Sequence, residues 1–233
     1  MTATPLALFV RSFHRRAFLL GVASVAALST AAGLAPALAQ RRGDRGPDEV
    51  SVEALMKPGP LPDLIVGKAD APVTVVEYAS MTCGHCANFH NNVYPALKAK
   101  YIDTGKVRFI LREFPLDNLA AAAAMLARCA GGDATHAMVS ALFRTQDKWA
   151  FVRGNPVPEL FKIAQQAGFT QERFDTCLKD NTTLDHMISA RQRASEEFGV
   201  NATPTFFING KRFRGRADSI EAFDQALAPF LGG

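Results

Sequence analysis

The run Pro72-Val73-Thr74-Val75-Val76-Glu77-Tyr78 constrains this chain more than any other segment: it is almost unbroken in β-branched residues and is bounded by turn formers. Such a run reads as a strand covered on both faces, so the fold must supply a layer on each side of it. A long helical pattern follows from Cys83 to about Asp103, and Lys106 to Glu113 (KVRFILRE) supplies a second strand. Strand, helix and strand make a βαβ unit, whose crossover is right-handed if the strands are parallel. The 233 residues, 48% apolar and 21% charged, suffice for a substantial core and exclude a collagen-like, low-complexity or largely disordered chain.

From Asp117 to about Gly199 the pattern is helical throughout. Leu119, Ala123, Leu126 and Ala130 form one stripe, Leu160, Ile163, Ala164 and Ala167 another, and Phe174, Cys177 and Leu178 a third, opened by Thr170 as N-cap with Glu172 in the first turn. Trp149, Phe143, Phe151 and Phe161 read as core of this block. Thr205-Phe206-Phe207-Ile208 then returns to strand, Asn209-Gly210 favours a type I′ hairpin, and a short strand is expected around Arg212 to Arg214. Asp218 and Glu221 read as a capping box for a last helix with Ile220, Phe223, Leu227 and Phe230 on one face. The expected architecture is α/β: one sheet domain of residues 63–116 and 200–233, interrupted by an all-helical insertion, residues 117–199. Residues 40–62, charged and then rich in Pro and Gly, read as an extended N-terminal arm.

Residues 1–39 read as an export signal. Arg11, His14, Arg15 and Arg16 form a basic region, an uncharged run follows, and Ala37-Leu38-Ala39 closes it as a small-x-small cleavage pattern. Paired Arg15-Arg16 followed by Phe18-Leu19 resembles a bacterial twin-arginine signal. The competing reading is an uncleaved anchor, which the Ala, Ser, Gly and Pro36 within the run weaken. The formal charge of +4 owes most of its excess to this segment: without its three arginines 23 basic residues face 22 acidic ones, so no nucleic-acid partner is expected. Four cysteines suit an oxidising compartment once export is granted.

The chemistry centres on Met81-Thr82-Cys83-Gly84-His85-Cys86, where the first strand hands over to the first helix. A cysteine at a helix N-terminus faces the positive end of the macrodipole and unpaired N–H groups, which favour thiolate over thiol. Cys83 and Cys86 at this turn can close a small disulfide ring with Cys83 outward and Cys86 shielded, and His85 between them can favour the Cys83 thiolate. Zinc binding through the cysteines with His85 or His90 is the competing reading, but structural zinc sites usually supply a second closely spaced ligand pair. A purely structural disulfide is the other. Glu77 shares a strand face with Val73 and Val75, so its carboxyl group is expected to be desolvated and suited to relaying a proton to or from Cys86. The alternatives are a solvated strand-end Glu or one paired with Arg. His90, His136 and His186 have no partner assignable from sequence, and Lys211, Arg212, Arg214 and Arg216 read as a solvated hairpin.

Through VVEYASMTCGHCANFH, KVRFILREFPLD and ATPTFFING the chain resembles the DsbA group of thiol-disulfide oxidoreductases, particularly its alphaproteobacterial forms, from about residue 60 to the end. The resemblance implies a thioredoxin-like fold, a buried acid at Glu77, and a cis peptide between Thr203 and Pro204 facing the cysteines. The backbone beside Thr203 would then pair with an extended substrate, and Pro204 would keep the reactive sulfurs from capturing metal. From the residues alone, a trans Pro opening a strand is the simpler expectation. Some members of the group carry a second, structural disulfide in the helical block, where Cys129 and Cys177 fall; two buried free thiols are the alternative.

The expected protein is therefore a monomeric periplasmic enzyme, without metal or other cofactor, that forms disulfides in exported proteins through a redox-active Cys83–Cys86 pair and is reoxidised by a quinone-linked membrane partner. A reductase or isomerase would use the same site in the opposite sense. A non-catalytic metal-binding or copper-handling module is the reading from another class.

Overall fold

Every residue of β2 (Val73–Ala79) except Thr74 is buried, and the molecule is arranged around that strand. The computed structural model describes residues 46–232, so the export signal expected over residues 1–39 lies outside the described residues. β2 is the middle strand of a five-stranded sheet of order β1-β3-β2-β4-β5, with β1 at Leu64–Val66, β3 at Val107–Glu113, β4 at Thr205–Ile208 and β5 at Lys211–Arg212. It runs parallel to β3 and antiparallel to β4. The hairpin turn between β4 and β5 has Asn209 at φ 46° and Gly210 at φ 83°, the paired positive values a type I′ turn requires. β5 begins one residue earlier than its sequence suggests, because this two-residue turn pairs Ile208 directly with Lys211.

Alternation along β2 separates two cores. Val73, Val75 and Ala79 face a large cluster containing Phe89, Phe109, Phe206 and Phe223, which continues into the helical insertion through Phe143, Trp149 and Phe174. Val76 and Tyr78 face a smaller one with Ile110, Phe114, Phe198 and Phe207. The helical pattern after Cys83 is one run from Gly84 to Ile102, but it is not uniform: α2 (Gly84–Asn88) and α3 (Tyr94–Leu97) alternate with π-helical turns at Phe89–Val93 and Lys98–Ile102. The first π turn runs into α3, whose second residue, Pro95, has no N–H to offer the α ladder.

Between β3 and β4 the described chain is helical, as expected: α4 (Asn118–Ala130), α5 (Asp133–Arg144), α6 (Gln146–Trp149), α7 (Val157–Gln166), α8 (Gln171–Leu178) and α9 (Asn181–Phe198). Thr170 caps α8 by accepting from the Arg173 N–H. A disulfide joins Cys129 on α4 to Cys177 on α8, with Cα atoms 6.0 Å apart and a sequence separation of 48. In the chain-entropy treatment a loop of that size adds up to about 4 kcal/mol of stability. Phe151 departs from the expected core, being 62% exposed. In the last helix, α10 (Ile220–Leu227), the N-cap is Ser219 rather than Asp218: Ser219 Oγ accepts from Ala222 N–H and donates to Glu221, while Asp218 turns to Arg216.

The largest departure is the expected extended arm. Residues 52–56 form a short helix, α1, and Val50 and Leu55 are buried against the smaller core. Arg193 donates to the carbonyls of Ala54 and of the C-cap Lys57, and Arg112 to that of Leu55, so side chains distant in sequence satisfy the end of this helix. Nor is the β5 hairpin merely solvated. Arg212 is buried and donates to the carbonyls of Pro47 and Phe198, and Arg214 binds Asp48 and the carbonyl of Gly46. Gly199 ends α9 in the left-handed region at φ 64°, and a Cβ there would stand 2.6 Å from Pro47 Cδ, so this close approach requires glycine.

If residues 50–56 are part of the folded unit, Leu55→Ala lowers the unfolding free energy by about 2–5 kcal/mol, the range for a buried leucine truncation. Denaturant titration reads this directly, and a change under about 0.5 kcal/mol, typical of surface positions, would show the segment to be dispensable.

Candidate active site

The end of β2 and the start of β4 are neighbours in register, Tyr78 opposite Thr205, so the loops beyond both strands converge at one end of the sheet. The first carries the cysteines. After Ala79 the chain turns through Ser80, whose carbonyl accepts from the Cys83 N–H at 3.1 Å. Cys83 is the N-cap of α2, with φ −83° and ψ 114°, and its Sγ accepts from the Cys86 N–H at 3.2 Å. The second loop carries Thr203-Pro204, and their peptide bond is cis. The Cys83 thiol donates to the Thr203 carbonyl at 3.3 Å. Cys83, Cys86, Thr203 and Pro204 are thus gathered at one place, with both thiols free; Cys83 is 7% exposed and Cys86 fully buried.

The two sulfurs are perturbed in opposite directions. The hydrogen bond from the Cys86 thiol does most to bring Cys83 down to about 6; it outweighs the opposing effect of burial and is helped by the Thr203 side chain and the backbone N–H groups of Cys86 and His85. Thr203 Oγ1 is buried without a well-formed hydrogen bond, so its part is smaller than that of the Cys86 thiol. Cys86 is pushed up, first by burial, then by its contact with Cys83 and the negative charge of Glu77. One sulfur is therefore a ready thiolate near neutral pH and its neighbour a reluctant one. His85 acts on Cys83 through its backbone, and its side chain is exposed.

Glu77 lies behind Cys86 on the face of β2 directed to the larger core, with no exposed surface. It is neither solvated nor paired with Arg. Its Oε2 meets His90 Nε2 at 2.8 Å, while Oε1 is buried without a hydrogen-bond partner. His90 was without an assignable partner in sequence, although its position four residues after Cys86 on one helix was a usable signal. Gln146, on α6, is a second buried polar residue at the site: its Nε2 donates to the carbonyls of Met81 at 2.7 Å and Cys83 at 3.1 Å. It lies 63 positions after Cys83, and no local pattern announces it. Asp117 ties the same turn to α4, accepting from Thr82 Oγ1 with one oxygen and from the Ala120 N–H with the other. Among the described residues no group of three or more His, Cys, Asp or Glu is arranged to hold a metal ion.

Because the Cys86 thiol is the main donor to the Cys83 thiolate, wild-type protein has a thiolate absorbance midpoint near 6, and Cys86→Ala moves that midpoint upward. A midpoint unchanged by the substitution would assign the effect to the helix N-terminus instead.

A family model described as thioredoxin matches residues 61–228. Two relatives that bear the name protein-disulfide oxidoreductase as an assignment, from Rickettsia bellii and Rickettsia typhi, are 37% and 36% identical to this chain over 151 and 169 residues, which are 64% and 71% of it. Those stretches are 57% and 62% of the two relatives, so the chain spans about three-fifths of their length. The crystal structure of Wolbachia pipientis alpha-DsbA1 superposes with a TM-score of 0.71 at 33% identity, over 78% of this chain and 96% of that one. A match that takes in nearly all of a solved relative covers the sheet and the helical insertion together, and the chain belongs to the DsbA family of thioredoxin-fold thiol:disulfide oxidoreductases.

Proposed function

We propose that this protein is a periplasmic thiol-disulfide oxidoreductase that introduces disulfides into newly exported proteins. The observation that carries this reading is the opposite perturbation of two sulfurs within one helical turn, Cys83 lowered and Cys86 raised. In the oxidised enzyme a substrate thiolate attacks Cys83 Sγ; the bond from Cys83 to the substrate sulfur forms, the Cys83–Cys86 bond breaks, and its electron pair leaves on Cys86, which takes up a proton. A second substrate thiolate then attacks the substrate sulfur of the mixed disulfide, and Cys83 departs as thiolate. A low thiolate pKa makes Cys83 a good leaving group and stabilises the reduced form, which drives electrons from substrate to enzyme.

Thr203 and Pro204 border the Cys83 sulfur, and the Thr203 backbone is the edge against which an extended substrate would pair. Pro204, packed beside Cys83 across the cis bond, keeps the reactive sulfurs from capturing a metal. Glu77 serves Cys86 as its proton partner. Export rests on the signal read in residues 1–39; no helix among the described residues is long and apolar enough to cross a membrane. Regeneration would fall to a quinone-linked membrane partner, and the working unit is a monomer.

The reading that uses the same site in the opposite sense, as reductase or isomerase, draws on Gly84-His85, the dipeptide of protein disulfide isomerase, whose potential is about −180 mV. The segment expected to be an arm speaks against an isomerase of the dimeric kind, since Val50 donates to the Gly210 carbonyl and Arg212 N–H to that of Asp48 within this chain's own hairpin.

Equilibration with glutathione measures the potential of the Cys83–Cys86 pair and decides direction. A value of about −120 to −180 mV fits a disulfide donor, whereas one near −270 mV makes the protein a reductase. Cys83→Ser abolishes exchange, and Cys86→Ala accumulates mixed disulfides with substrate; undiminished exchange by the Cys83 variant would refute the mechanism.

A further inference from the structure

We propose that His90 carries protons between the buried Glu77 carboxyl group and a side cavity, so that Cys86 exchanges its proton through the protein interior rather than through the mouth of the active site. The proposal rests on the exchange reading of Cys83 and Cys86 and deepens it. Cys86 and Glu77 have no exposed surface, yet each round of exchange must deliver a proton to Cys86 or remove one. Glu77 Oε2 is joined to His90 Nε2 at 2.8 Å, and its Oε1 is buried with no partner, leaving an oxygen free to receive or release a proton. His90 is the next group outward. Its side chain is 8% exposed, and it lines a cavity of about 500 Å³ between β1, β3 and α5 and a second of about 350 Å³ beside Arg144.

The ring is held for this task. It stacks on Phe143 with centroids 4.3 Å apart and planes at 15°, and meets Phe89 edge to face. It belongs to the π-helical turn Phe89–Val93, a widened turn of the kind that recurs at functional sites. The ionisable groups around it are Glu77 from β2, Tyr94 and Lys98 from its own helical run, and Asp133, His136 and Arg144 from α5. Tyr94 is pushed up to about 12 by burial and by Glu77, so it stays neutral. Imidazole is the side chain best suited to passing protons near neutral pH.

The step balances in both directions. When Cys86 leaves as thiolate, a bridging water hands it a proton and takes the Glu77 carboxyl proton in return, His90 reprotonates Glu77, and water in the cavity reprotonates His90. When Cys86 attacks a mixed disulfide, the same protons move outward. His90 acts through Glu77 and does not touch sulfur; it is a positioning residue for the proton.

The test uses the full protein with Cys83 in mixed disulfide with glutathione and follows release of glutathione by Cys86 in a single turnover across pH. His90→Gln retains an amide donor for Glu77 but cannot pass a proton. It is expected to slow release by about tenfold or more and to remove one ionisation from the pH profile, with the Cys83 thiolate midpoint unmoved. In His90→Ala, added imidazole restores the rate. Release by His90→Gln at the wild-type rate, or a slowing that leaves the pH profile unchanged and that imidazole fails to rescue, overturns the relay. If the wild-type protein does not release glutathione, the exchange reading itself fails, an outcome distinct from the others.

Discussion

Burial of β2 on both faces is the constraint from which the rest of the structure follows. A strand with nearly every side chain out of water must end where the chain can emerge, and at that end the cysteines are placed. Antiparallel pairing with β4 brings the Thr203–Pro204 loop to the same edge, so two segments 120 residues apart meet at one sulfur. The same burial isolates Glu77. In a half-solvated strand its carboxylate would be hydrated and would exert little on Cys86; here low dielectric lets one charge act across the core.

The parts of this arrangement that are local in sequence are the parts a reader of the sequence can find. The run 72–78, the helix start at Cys83, the Asn209-Gly210 turn and the Thr170 cap each depend on residues within a few positions, and each is where the pattern places it. What is illegible has distant partners. Arg212 looks like a solvated hairpin charge because its acceptors, the carbonyls of Pro47 and Phe198, are fixed only after folding. Residues 50–56 look like a linker because Arg112 and Arg193, which satisfy α1, come from β3 and α9. The π turns are invisible for a different reason: apolar spacing reports which face is buried and not the hydrogen-bond step that puts it there.

Gln146 and His90 extend that lesson to the site. The meaning of each comes from what it meets in the folded chain. Gln146 fastens the active-site turn to the helical insertion through the carbonyls of Met81 and Cys83. Both carbonyls are buried and would otherwise lack a donor from this side of the turn, so the amide fixes the backbone on which Cys83 sits. The insertion thereby holds the turn that carries the cysteines in place.

The sign of the sulfur perturbations fixes how pH acts on this site. Cys83 titrates lower in the folded reduced protein, about 6, than a free thiol does, 9.0, so folding favours its thiolate. That contribution is complete above the unperturbed thiol value and is lost as pH falls through about 6. Because the oxidised protein has no thiolate at Cys83, the contribution belongs to the reduced form alone, and the preference for that form weakens in acid. Cys86 works in the opposite sense. Held as a thiol by burial, by Cys83 and by Glu77, it returns a hydrogen bond to the Cys83 thiolate, and this exchange of roles sustains the asymmetry between two chemically identical groups.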